Sequence, residues 1–133
     1  MKNCVLELQT KSRFEMKDIS KAVREVVKDS GVKDGICVIY TPHTTAALTI
    51  NEHADPDVMR DVIRTLDLLV PVDGSYDHLE GNSQAHIKSS IIGNSRIVII
   101  ENGEPFLGTW EGVFFCEFDG PRSRRVIIKV LSG

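Results

Sequence analysis

His43, His78 and His86 sit in two short polar stretches, and all four histidines of the chain fall between positions 43 and 86. The stretches are Thr41-Pro42-His43-Thr44-Thr45 and Tyr76-Asp77-His78-Leu79-Glu80-Gly81-Asn82-Ser83-Gln84-Ala85-His86. Neutral imidazole is the commonest protein ligand for borderline divalent metals. Three imidazoles drawn from two loops predict a shared metal or active site with an open coordination position. Their spacing is looser than that of a zincin or a zinc finger, so unrelated surface or core histidines are the competing reading.

Other reactive side chains surround these stretches. Asn51 and Glu52 follow the His43 segment. Glu52 could ligate a metal, act as a general base or orient a ligand histidine, or the two residues could simply cap the next helix. His86 opens a short helix whose N-terminal amides attract anions, and Lys88, Ser89 and Ser90 could then meet a phosphate. The plain alternative for them is a solvated helix face. Asn82 lies in the flexible polar loop just before. Trp110 either stacks a flat ring or anchors a core or interface. Glu117 stands alone in an apolar strand, pointing away from Cys116 and Phe118 by strand alternation. Such a carboxylate needs a partner, and Arg124 or Arg125 across a hairpin supplies one. The run Arg122-Ser123-Arg124-Arg125 could grip phosphate through bidentate contacts, or be a solvated turn.

Local patterns predict the elements that hold these groups. Residues 3–10 read as a strand. Ile19, Val23, Val26 and Val27 mark one face of a helix over 18–29, with Asp18 as N-cap and Gly31 as stop. The apolar run Ile36-Cys37-Val38-Ile39-Tyr40 predicts a strand buried on both faces, and 46–50 a following strand. Asp55-Pro56 starts a second helix, running to about residue 69. A short helix is predicted over 85–92, and strands over 96–100, 112–118 and 124–131. Asn102-Gly103 is a hairpin turn. The expected fold is α+β: one compact domain over residues 1–133, with mixed or antiparallel sheets and two main helices.

Composition narrows the function classes. The chain is 41% hydrophobic and 26% charged, with a net charge of −3. That balance suits a soluble globular domain and gives no reason to expect nucleic acid as a partner. No apolar run is long enough to span a bilayer, and the polar start is unlike a signal peptide. Cys4, Cys37 and Cys116 include no C-x-x-C pair. Reduced, mostly buried thiols and a cytoplasmic location are expected. There is no phosphate-binding glycine loop, so nucleotide hydrolysis has no support.

Three segments together carry a family resemblance. They are His43-Thr44-Thr45-Ala46-Ala47-Leu48-Thr49-Ile50-Asn51-Glu52 with Asp55-Pro56; Tyr76-Asp77-His78, Glu80-Gly81-Asn82 and His86-Ile87-Lys88-Ser89-Ser90; and Gly108-Thr109-Trp110-Glu111-Gly112 with Glu117 and Arg124-Arg125. In order and spacing the chain resembles the YjbQ family. His53 and Glu111 depart from the family pattern; His53 is left out of the expected site, and Glu111 is carried over only weakly. The resemblance implies a homotrimer with a polar site near the subunit interface and a weak thiamine-phosphate synthase activity. That reaction joins a pyrimidine pyrophosphate to a thiazole phosphate and releases pyrophosphate. It implies a divalent metal, zinc or magnesium, on His43, His78 and His86, with Glu52, His86 and Glu117 as catalytic groups. Phosphorylated substrate would meet Asn51, Asn82, Lys88, Ser89, Trp110, Arg122, Arg124 and Arg125. The rival reading is a non-catalytic metal- or phosphometabolite-binding module. A third reading makes the histidines assembly contacts.

Overall fold

In a computed structural model, which describes residues 2–133, eleven elements follow one another. They are β1 (Lys2–Gln9), β2 (Glu15–Asp18), α1 (Ser20–Ser30), β3 (Asp34–Tyr40), β4 (Ala46–Glu52), α2 (Pro56–Leu69), α3 (Ser83–Ile92), β5 (Ser95–Glu101), β6 (Glu104–Pro105), β7 (Glu111–Glu117) and β8 (Ser123–Ser132). The strands form a five-stranded sheet in the order β1-β8-β3-β5-β6 and a three-stranded sheet in the order β2-β7-β4. Every described pairing is antiparallel, so the expected α+β fold holds while the mixed option falls away.

Local chemistry explains the boundaries. Asp55 accepts the Asp57 amide at 2.9 Å and Pro56 opens α2, an N-cap arrangement that typically contributes about 1 kcal/mol. Gly31 ends α1 in the left-handed region, where a Cβ would be strained. At α1 the N-cap is Ile19 rather than Asp18. The Asp18 carboxylate still receives the Ser20 amide at 2.9 Å, one position out of step. Asn102 and Gly103 both adopt positive φ and close the β5–β6 hairpin.

Two apolar layers hold the sheets. The first packs Cys37, Ile39, Val98, Ile100, Val126, Ile128 and Val130 of the larger sheet against Val23 and Val27 of α1 and Leu48, Val113 and Phe115 of the smaller. The second packs Ala47, Cys116 and Phe118 on the other face of the smaller sheet against Leu66 of α2 and Ala85 of α3. Strand β7 is thus central and covered on both sides, with Val113 to Glu117 all buried.

Strand β3 differs from its expected burial. Only Cys37 and Ile39 are buried in it, while Ile36 and Val38 are half-buried and Tyr40 is exposed. Its run is apolar throughout because the outer face of the sheet is apolar too. Val5, Tyr40, Ile97 and Ile99 stand exposed there on neighbouring strands.

Helix α3 is a third full helix of ten residues, longer than the short one expected. Its buried face is polar: Gln84, Lys88 and Ser89 point inward beside Ala85, while Ile87 and Ile91 point out. The Ser89 hydroxyl donates to the Ala46 carbonyl at 2.6 Å, which pins α3 to the start of β4. No helix among the described residues is long and apolar enough to cross a membrane.

Candidate functional site

The pin between α3 and β4 brings the two histidine segments together. His43 precedes β4, His86 lies in the first turns of α3, and both line a cavity of about 520 Å³ with Thr44, Ser89, Ser90 and Asn94. His78, from the loop before α3, packs edge-on against His86 with ring centroids 5.3 Å apart. His78 and His86 also share an adjoining hollow with Tyr76, Asp77 and Ser83. On its other side His43 borders a second cavity of about 550 Å³, lined by Glu7, Leu8, Gln9, Ser123, Arg124 and Arg125. His86 thus borders a hollow with each of the other two histidines, while His43 and His78 share none.

A three-imidazole metal centre is a different matter. Among the described residues no three His, Cys, Asp or Glu side chains are grouped to hold a metal ion. His43 Nε2 accepts the Arg125 backbone amide at 3.0 Å, so that lone pair is already in use. Burial lowers the His43 pKa below 6.5, and the positive charges of Arg124 and Arg125 push the same way. Glu117 opposes them. The neutral ring that results is the form able to accept that amide.

Beneath the cleft lies a buried ion pair. Arg124 Nε donates to Glu117 Oε1 at 2.8 Å, and its Nη2 bonds Glu117 Oε2 and the Thr45 hydroxyl. The Thr10 hydroxyl and the Asp119 amide donate to the same carboxylate at 2.7 and 3.0 Å. Burial alone raises the Glu117 pKa, but these bonds, led by Arg124, bring it below 4.5. The expected pairing of Glu117 with Arg124 is present. Glu117 is 0% exposed and Arg124 4%, and of the two it is Arg124 that reaches the wall of the second cavity. The solvated-turn reading of Arg124 is overturned, because β7 and β8 close over it.

The other expected groups scatter. Lys88 is buried, its ammonium 3.3 Å from Asp67 and 4.3 Å from the Phe14 ring centroid, so it faces neither a phosphate site nor solvent. Ser89 lines the first cavity, with its hydroxyl held by Ala46. Arg122 is tied to Asp119, and Asn82 donates to the same carboxylate at 2.9 Å. Arg125 forms no ion pair among the described residues and is the free cation of the cleft.

Asn51, Glu52 and Trp110 lie elsewhere. Strand β4 runs from Ala46, opposite Glu117, to Glu52, opposite Glu111. At about 3.3 Å per residue that separates its ends by roughly 20 Å. Glu52 accepts the Asp55 amide at 3.2 Å, and Asn51 accepts the Glu52 amide at 2.7 Å, as the helix-capping alternative requires. Trp110 is 63% exposed, so it anchors no core within its own chain. Cys37 and Cys116 are buried, with thiols pushed up to about 11 and about 12 by that burial, which leaves them inert. Sequence reasoning passed over Glu7, Gln9 and Asn94. They are ordinary polar residues at strand ends, and pairing brings them to the site.

A small antiparallel α+β domain with a histidine-lined cleft at one end of its sheets is the class that fold and site define. The family model described as "UPF0047 protein YjbQ-like" matches residues 5–133, and the chain belongs to that family. It is 52% identical over 125 residues to UPF0047 protein MJ1081 of Methanocaldococcus jannaschii, covering 94% of this chain and 91% of the relative. It is 50% identical over 127 residues to UPF0047 protein YugU of Bacillus subtilis, covering 95% and 96%. A solved YjbQ/UPF0047 structure from Clostridium acetobutylicum superposes with a TM-score of 0.95 at 51% identity, over 96% of this chain and 99% of that one. A YbjQ-like protein of unknown function from Sulfolobus solfataricus gives 0.96 at 31% identity, over 99% and 97%.

Proposed function

We propose that the chain is a small cytoplasmic enzyme acting on a phosphorylated small molecule, with weak thiamine-phosphate synthase activity as a secondary reaction. The observation that carries this reading is the pair of cavities on either side of His43, one with His86 and the other with the unpaired Arg125. Joining a pyrimidine pyrophosphate to a thiazole phosphate leaves negative charge on the departing pyrophosphate. Fixed donors and cations aimed at that charge are the usual largest source of acceleration. Arg125 supplies the cation, and His86 is the proton-transfer group. Glu117 acts indirectly, by holding Arg124 at the wall of the second cavity. A divalent metal in this proposal arrives with the pyrophosphate rather than in a histidine cage, because no three His, Cys, Asp or Glu side chains among the described residues are grouped to hold one. It would neutralise pyrophosphate charge.

The proposal also includes a homotrimer. The exposed apolar face of the larger sheet, with Val5, Tyr40, Ile97 and Ile99, supports burial against other copies. In such an assembly the Asn51, Glu52 and Trp110 end of one copy is free to complete the cleft of another. Light scattering at micromolar concentration is expected to give three chain masses, and a monomer mass rejects this part.

Turnover tests the chemistry. Purified protein given both substrates with zinc or magnesium is expected to release pyrophosphate. His86→Ala should slow release by about 100-fold or more, the lower end for losing a proton-transfer group. A wild-type protein that binds phosphate yet releases no pyrophosphate is a binding module, and the enzyme reading is then wrong.

A further inference from the structure

Strand β3 stops at Tyr40, opposite Ile127, while β8 extends back to Ser123. From Arg125 outward, the β3-facing edge of β8 therefore has no strand beside it. Two side chains take the place of the missing ladder. The Thr41 hydroxyl donates to the Arg125 carbonyl at 2.9 Å, and the Arg125 amide donates to His43 Nε2 at 3.0 Å. Thr41 is fully buried and anchors this extension to the sheet, while the His43–Arg125 bond lies at the surface.

The bond direction has a chemical consequence. A ring nitrogen that accepts a backbone N–H carries no proton, so the proton of the neutral imidazole sits on Nδ1. A main-chain amide cannot reverse its role, unlike a hydroxyl or a side-chain amide. Nδ1 has no partner among the described residues, and the ring borders both cavities.

The two cavities differ in character. One offers neutral polar groups from Thr44, Ser90 and Asn94 besides His86. The other holds Arg125, the Glu117-paired Arg124 at its wall and, directly across the β1–β8 pairing from Arg125, Glu7. Arg125 suits a phosphate oxygen, while Glu7 accepts hydrogen bonds and disfavours a second anion. Together they match one phosphate group with an N–H or O–H donor beside it.

We propose that His43 is a ligand-binding residue and not a metal ligand. Locked in the Nδ1–H form by Arg125, it donates to a phosphate oxygen where the two cavities meet, while Glu7 accepts from a neighbouring donor of the same ligand. The proposal rests on the reading that the cleft takes a phosphorylated small molecule.

Nitrogen-15 NMR of the wild-type imidazoles tests the lock without any variant. The Nδ1–H tautomer is expected for His43, unchanged on adding zinc. An Nε2–H tautomer, or His43 resonances that move to metal-bound values with zinc, overturns the proposal. Calorimetry with inorganic phosphate and with a phosphate monoester bearing an amino group tests the ligand. His43→Ala, folded by circular dichroism, should bind both about tenfold more weakly, as expected for one lost charge-assisted hydrogen bond. Glu7→Gln should weaken the amino monoester and not inorganic phosphate. Equal phosphate binding by wild type and folded His43→Ala refutes the inference alone. A wild-type protein that binds neither compound refutes the underlying reading as well.

Discussion

Arg124→Ala is expected to lower the unfolding free energy by about 3–5 kcal/mol, the range for removing one partner of a buried ion pair. The loss comes from Glu117, which stays fully buried with its main counter-charge gone. Replacing both residues with apolar ones, as in Glu117→Leu with Arg124→Met, should recover most of it, because buried pairs are often no better than well-packed hydrophobes. The pH dependence follows from the direction of the Glu117 shift. Its folded value lies below 4.5, so its stabilisation is complete above that pH and is lost as pH falls through the folded value. The double variant should lack this acid limb. Urea titrations of the three proteins at neutral and acid pH measure all of this. If Arg124→Ala costs less than about 1 kcal/mol, the pair is not the structural hub that its burial indicates.

At Lys88 the charge sign matters more than the loss of charge. Lys88→Glu is expected to destabilise the fold by about 3 kcal/mol or more, since it buries a carboxylate beside Asp67 against the Phe14 and Phe118 rings. Lys88→Met should be neutral or mildly stabilising. Methionine keeps the stem volume and contacts the rings well, and Asp67 is near enough to water to remain solvated. Burial pulls the Lys88 pKa below 10.5, only partly offset by Asp67. Between its folded value and 10.5 the unfolded chain holds more protons, so stability rises with pH there. The methionine variant should lose that rise. Thermal unfolding from pH 7 to 10.5 compares the three. A methionine variant as unstable as the glutamate one would mean that the ammonium–Asp67 bond is a net stabiliser.

Much of the fold was legible because its signals are local. Asp55-Pro56 and the spacing of Met59 and Leu66 specify α2. Asn102-Gly103 specifies the β5–β6 turn, and alternation around Glu117 pointed to its arginine partner. Helix α3 was underestimated because its inward positions are Gln84, Lys88 and Ser89, so no apolar stripe marks its length. Strand β2 is four residues, Glu-Met-Lys-Asp, and exists because β7 offers an edge; nothing in its own composition favours a strand.

The site divides along the same line. His43, His78 and His86 were singled out by residue type, and the contact between Ser89 and Ala46 is what sets the His86 helix beside the strand that follows His43. Asn51 and Glu52 were placed with His43 because they lie close in sequence. An extended strand separates its two ends, and motif proximity conceals that. Lys88 and Arg124 were read as anion-gripping or solvated because charge usually seeks water. Their burial follows from partners distant in sequence, Asp67 for Lys88 and Thr45 for Arg124, the latter added to the nearby Glu117 that alternation had already pointed to.

The position of β8 has a consequence for how the chain is made. It is the last strand in sequence, yet it lies between β1 and β3, with Cys4 opposite Ile128 on one side and Cys37 opposite Val130 on the other. While the ribosome is still adding residues, β1 has no sheet partner and β3 has one bare edge. The larger sheet therefore assembles after synthesis has passed β8, by closing a loop that spans most of the chain. Topologies dominated by such long-range pairing fold slowly, and they hold apolar strand edges open in the meantime. Until β8 arrives, those open edges are the part of the chain most exposed to aggregation.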